Sequence, residues 1–215
     1  MIMTKIKFGT DGWRAIIAKE YTTENVSRVS IAVADWLNEK SENPSVVIGH
    51  DCRFAGELFA ETTAKVLANK GILVKLAKGF VSTPMVSLGV VKEQATLGVV
   101  ITASHNPPSY NGYKLKGDFG GPLLQDDITD VENRIPDINS VDYTAISMGD
   151  LVSQGKVVYI NLEDMYCKHA EANFDLEAIR SSNMNFAYDA MYGAGMNAVK
   201  RLLPEATLLH CENNP

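Results

Sequence analysis

No run of 18 apolar residues occurs in the 215-residue chain, and no basic start followed by an apolar stretch opens it. Neither a membrane span nor a secretory signal is therefore expected, and the expected compartment is the cytoplasm. Positive charge is also in short supply: 20 Lys and Arg stand against 26 Asp and Glu, a formal charge of -6. Without a basic surplus there is no sequence-independent attraction to a phosphate backbone, so no nucleic-acid partner is expected. Cysteine is sparse and scattered. Cys52, Cys167 and Cys211 are odd in number and too far apart for a CxxC metal or redox pattern, and they read as reduced, mostly buried thiols. His50, His169 and His210 show no ligand spacing to one another and read as surface or core residues.

What is present is 46% hydrophobic content, enough for a sizeable core, with short apolar runs alternating with helix-period stretches. That alternation predicts α/β layering with parallel strands and crossover helices. Residues 22–40 offer Thr22 or Thr23 as a cap, then Val26, Val29, Val33, Trp36 and Leu37 at helical spacing. Strands are expected at 45–50, 72–77 and 96–102, with helices at about 57–70 and 84–92 between them. Residues 136–152 lose periodicity and suit a connection between units, so one domain is expected over 1–152. A second unit follows over 153–215, with a helix at 162–181, a strand near 185–189, a helix to about 203 and a strand at 206–211. One strand, one helix and one more strand leave faces uncovered, so this second domain is expected to be incomplete and the chain to be part of something longer.

The chemistry-bearing segment follows the strand at 96–102: Thr102-Ala-Ser-His-Asn-Pro-Pro-Ser-Tyr-Asn-Gly-Tyr-Lys114. In open α/β sheets, function gathers at the carboxyl ends of strands, so Ser104 is well placed to be presented. A serine hydroxyl is a weak nucleophile and needs a neighbouring base or a strong field to accept or release a phosphoryl group. His105, Asn106 and Lys114 are candidates to supply that field.

Thr102-Ala-Ser-His-Asn-Pro-Pro108 with Tyr110-Asn-Gly-Tyr-Lys114 resembles the active-site loop of the α-D-phosphohexomutases, the phosphoglucomutases and phosphomannomutases. Phe8-Gly-Thr-Asp-Gly-Trp-Arg14, Gly49-His-Asp-Cys-Arg53 and Asp189-Ala-Met-Tyr-Gly-Ala-Gly195 agree, so the resemblance spans nearly the whole chain. It implies a mixed, mostly parallel sheet with an antiparallel edge strand. It also implies an isomerase that exchanges a phosphoryl group between the 1 and 6 positions of a hexose phosphate, through a phosphoserine at Ser104 and a bisphosphorylated sugar. Within that scheme Lys114 moves protons at the sugar hydroxyl, His105 assists beside the serine, and Arg14 and Asn106 lie near the substrate phosphate. Magnesium is implied on the phosphoserine, with Ser104 supplying one ligand through its phosphate. The family's Asp-Gly-Asp-x-Asp-Arg metal loop does not occur in these residues, so the 215 residues alone are expected to interconvert sugar phosphates poorly.

Two rival readings belong to other classes. Gly193-Ala-Gly195-Met-Asn-Ala198 matches G-x-G-x-x-A after a strand, with Glu212 after the next one, which is nearly a dinucleotide fingerprint. A noncatalytic phosphosugar-binding fragment is the other.

Overall fold

The computed structural model describes residues 5–9 and 12–214; Thr10 and Asp11, which belong to the Phe8–Arg14 string that carries part of the resemblance, and Pro215 lie outside the described residues. The amphipathic stretch at 22–40 forms α1 (Thr23–Lys40), opened by the Thr22 side chain accepting from the Asn25 amide at 3.2 Å. The next apolar run is β2 (Ser45–His50), preceded in the chain by α1 and the short β1 (Trp13–Ile16) and followed by α2 (Gly56–Asn69) and β3 (Leu73–Ala77). Then come α3 (Thr83–Lys92), with Pro84 in its first turn, and β4 (Leu97–Ile101), buried along its length.

The 110–114 segment, read as part of the loop from its polar composition, is instead the start of β5 (Tyr110–Gly117). It pairs antiparallel with both β1 and β4, while β6 (Val157–Ile160) joins the far edge. The sheet order is β1-β5-β4-β2-β3-β6, with β4, β2, β3 and β6 parallel. This is the mixed, mostly parallel sheet anticipated. The connection at 136–152 runs into α5 (Met148–Ser153), after α4 (Gln125–Asn133), and leads into β6. Because β6 pairs with β3, the first sheet runs past residue 152.

Side-chain alternation along the central strands explains why both faces are covered. Val46 and Ile48 of β2 join one core cluster with Val26, Val33 and Leu37 of α1, whereas Val47 between them joins a second cluster with Val86 and Val90 of α3. That second face is completed by Leu162 and Cys167 of α6 (Leu162–Asn173). The expected helix at 162–181 is broken. Asp175 accepts from the Ala178 amide at 2.9 Å and starts α7 (Leu176–Arg180) as a separate turn. Beyond it, β7 (Ala187–Asp189) and β8 (Thr207–Leu209) form a parallel pair bridged by α8 (Met196–Leu202).

One position ties the core to the sheet edge that bears the 102–110 loop. Gly112 faces Arg14 across β1 and β5, its carbonyl accepts from the buried Tyr21 hydroxyl at 2.8 Å, and it also accepts from the Thr102 amide at 2.9 Å. A Cβ at 112 would lie 2.5 Å from the Thr102 carbonyl oxygen and 2.9 Å from that of Trp13, both backbone atoms that cannot swing aside. Gly112→Ala is therefore expected to cost about 1–3 kcal/mol, read as a lower urea midpoint with an unchanged slope. An unshifted midpoint would contradict this packing.

Candidate active site

β4 ends at Ile101, and the chain turns outward through Thr102 and Ala103 to Ser104, which adopts φ +56. A non-glycine residue in the left-handed region costs roughly 1–2 kcal/mol and persists only where its surroundings over-determine it. Here they do. The Ser104 amide donates to Thr102 Oγ1 at 3.0 Å, Thr102 Oγ1 donates to Asp51 Oδ2 at 2.5 Å, and the Asn106 amide closes the turn on the Ala103 carbonyl at 3.1 Å. Ser104 is thereby exposed, with its hydroxyl beside His105.

Ser104, His105 and Asn106 line one cleft of about 830 Å³, with Thr83 from the start of α3 and Tyr192 and Gly193 from the second unit opposite. Ser104 Oγ and His105 Nδ1 are 3.4 Å apart, long for a hydrogen bond but within the loose range of a catalytic pair before substrate arrives. Arg14 crosses over Gly112, whose missing side chain leaves it room, and donates from Nη1 to Asn106 Oδ1 at 3.0 Å. Ser104, His105 and Asn106 thus line the cleft together, and Arg14 joins them through Asn106 without lining it. Lys114 sits in β5 opposite Val100, is 5% exposed, and does not line the cleft; its side chain passes Gly12, where a Cβ would be 3.0 Å from Lys114 Cγ.

Asp51 and Arg53 close the Gly49-His-Asp-Cys-Arg53 string just beyond the end of β2, where a strand-end turn with a local ion pair would be ordinary. The pair is there, Arg53 Nε lying 3.4 Å from Asp51 Oδ2, but the guanidinium also reaches the serine loop. Nη2 donates to the Ser104 and Asn106 carbonyls at 2.8 and 2.7 Å, and Nη1 to those of Pro107 and Tyr110 at 2.9 and 3.0 Å. A signal was present in the loop itself: Pro107 and Pro108 carry no amide hydrogen, so the loop has few donors of its own; the Tyr110 amide reaches the Pro107 carbonyl at 3.0 Å, and Arg53 supplies donors to the others. Between the two partners, Cys52 has its thiol pushed up to about 11, first by burial and then by the charge of Asp51.

Across the cleft, the turn at 190–195 is also strained, with Met191 at φ 47 and Tyr192 at φ 57. Asp189 Oδ1 fixes it by accepting from the Met191 amide and meeting His210 Nδ1, each at 2.8 Å, and these two contacts hold the Asp189 carboxyl below the usual range. The glycines of the dinucleotide-like string are accounted for locally. A Cβ at Gly193 would lie 2.9 Å from the Ala190 carbonyl oxygen and one at Gly195 2.4 Å from the Tyr188 hydroxyl.

Among the described residues no group of three or more His, Cys, Asp or Glu side chains is placed to hold a metal ion, and no helix is long and apolar enough to cross a membrane. Asp51, the carboxylate that lines the cleft beside Ser104, is committed through both oxygens to Thr102 and Arg53. The described residues therefore do not form a magnesium site by themselves; a phosphate on Ser104 would contribute a single ligand.

Residues 5–142 match the family model described as phosphoglucomutase/phosphomannomutase, alpha/beta/alpha domain I. Phosphoglucomutases from Staphylococcus saprophyticus and Staphylococcus haemolyticus are 31% and 29% identical to the chain over 93% and 99% of its residues. A crystal structure from Thermus thermophilus, named as a phosphomannomutase, superposes on the whole chain with a TM-score of 0.87 at 32% identity. The chain spans 37% and 40% of the length of the two staphylococcal relatives and 48% of the Thermus chain. With the serine turn at the end of β4, the mixed sheet beneath it and these matches agreeing, the chain belongs to the phosphoglucomutase/phosphomannomutase family.

Proposed function

We propose that Ser104 accepts and donates a phosphoryl group in an exchange between the 1 and 6 positions of a hexose phosphate. The observation that carries this reading is the exposed Ser104 hydroxyl, held at positive φ at the carboxyl end of β4 and facing a cleft large enough for a sugar phosphate. In the forward step Ser104 Oγ forms a bond to phosphorus as the bond from phosphorus to a sugar oxygen breaks. The serine proton leaves through His105 and a proton ends on the sugar oxygen; the return step reverses each change.

Such transfer asks chiefly for positioning and charge neutralisation. The Arg14 guanidinium, oriented by Asn106, supplies positive charge at the rim of the serine turn. For Lys114 we retain the proton transfer at the sugar hydroxyl that the resemblance implies, which asks its ammonium to reach up from β5 when substrate is bound. Magnesium on the phosphoserine belongs to the same reading. Cys52 lines the same cleft, yet with its thiol raised to about 11 it stays protonated near neutrality and does not compete as a nucleophile.

Incubation with glucose 1,6-bisphosphate in magnesium-containing buffer is expected to add one phosphoryl group, located by peptide mapping to Ser104 and absent in Ser104→Ala, without sustained conversion of glucose 1-phosphate. Uptake at another residue, or equal uptake by Ser104→Ala, would overturn the reading. Saturable binding of the sugar without modification of Ser104 would point instead to a noncatalytic phosphosugar site. Arg14→Ala is expected to slow uptake about 100-fold, measured by quenched-flow mass analysis. Alkylation of Cys52 by iodoacetamide should rise roughly tenfold per pH unit through pH 8 to 10, because the raised thiol is ionised only as pH approaches about 11; a plateau by pH 9 would contradict this.

A further inference from the structure

We propose that Arg53 is the positioning residue of the Ser104 loop, holding the serine for transfer rather than binding the phosphate itself, an inference that rests on Ser104 as the phosphoryl carrier. Arginine has five N–H donors in a planar fork. Four go to the carbonyls of Ser104, Asn106, Pro107 and Tyr110 at 2.7 to 3.0 Å, and the fifth, on Nε, faces Asp51 Oδ2 at 3.4 Å. No donor remains for a substrate phosphate, although Arg53 lines the cleft.

The geometry of the clamp accounts for the strained serine. Asp51 anchors both ends of the arrangement: its Oδ1 accepts from the Arg53 amide at 3.0 Å, while its Oδ2 accepts the Thr102 hydroxyl, whose oxygen in turn accepts the Ser104 amide. Ser104 is thus bound through its amide by the Asp51–Thr102 pair and through its carbonyl by Arg53, so both peptide planes flanking its φ and ψ are fixed. Turning the loop carbonyls inward to one cation also leaves the Ser104 side chain on the cleft side. Lysine keeps the charge but has three donors on one atom and cannot span four carbonyls.

The test compares the chain with Arg53→Lys and Arg53→Ala by amide hydrogen exchange and by phosphoryl uptake from glucose 1,6-bisphosphate. For Arg53→Lys, amides at 103–110 that exchange slowly in the unsubstituted protein are expected to exchange at least about tenfold faster, while those of β2 and α2 keep their rates. The maximal uptake rate at Ser104 should fall about 100-fold with the half-saturating sugar concentration unchanged. Methylguanidinium, but not methylammonium, should restore uptake in Arg53→Ala. Unchanged loop exchange, equal opening of β2 and α2, unchanged uptake, or a raised half-saturating concentration at full maximal rate would each overturn the proposal, the last by making Arg53 a phosphate ligand. If the unsubstituted protein takes up no phosphoryl group, the Ser104 reading fails by itself and the exchange data still decide the role of Arg53.

Discussion

A loop with two consecutive prolines and a serine in the left-handed region has backbone carbonyls that no strand can satisfy, and in this chain one guanidinium satisfies four of them. The order of the region depends on that contact. It converts a segment that would otherwise sample many conformations into one in which the Ser104 side chain faces the cleft. The cation is itself held against Asp51, so the charge is balanced and its direction fixed.

The sheet supplies the platform. β4 carries the loop at its carboxyl end, and β5 returns antiparallel beside it, so both ends of the 102–110 segment are rooted in adjacent strands. β2, the parallel neighbour on the other side, ends at His50 and brings Asp51 and Arg53 to the same edge. Tyr21 connects this edge to the core, stacking on Trp13 at 4.6 Å and meeting Phe59 edge-on at 4.7 Å while its hydroxyl holds the Gly112 carbonyl. Burial chiefly raises the Tyr21 hydroxyl well above its ordinary range, so it stays a neutral donor there.

Much of this was legible in residue order. Continuous apolar runs marked β2 and β4, helical spacing after Thr22 or Thr23 marked α1, and the serine string stood where a strand ends. β5 was not legible, because Tyr, Asn, Gly and Lys at 110–114 read as polar loop; only the pairing with β1 and β4 makes a strand of them and buries Lys114 and Lys116. The role of Arg53 was not legible, because its loop partners lie 51 to 57 residues further along the chain. Separation of that kind leaves no trace in local periodicity. The break between α6 and α7 did have a signal, Asp175 followed by a leucine, but the helical pattern on either side masked it.

Ser104 is held in a single left-handed conformation by contacts on both of its peptide groups. The most direct measurement is the intraresidue NOE between the Ser104 amide hydrogen and its Hα, compared with those of neighbouring residues in the isotopically labelled chain. A strong NOE, the signature of positive φ at a non-glycine residue, is the predicted result. A weak one, matching the extended residues of β4, would contradict the account.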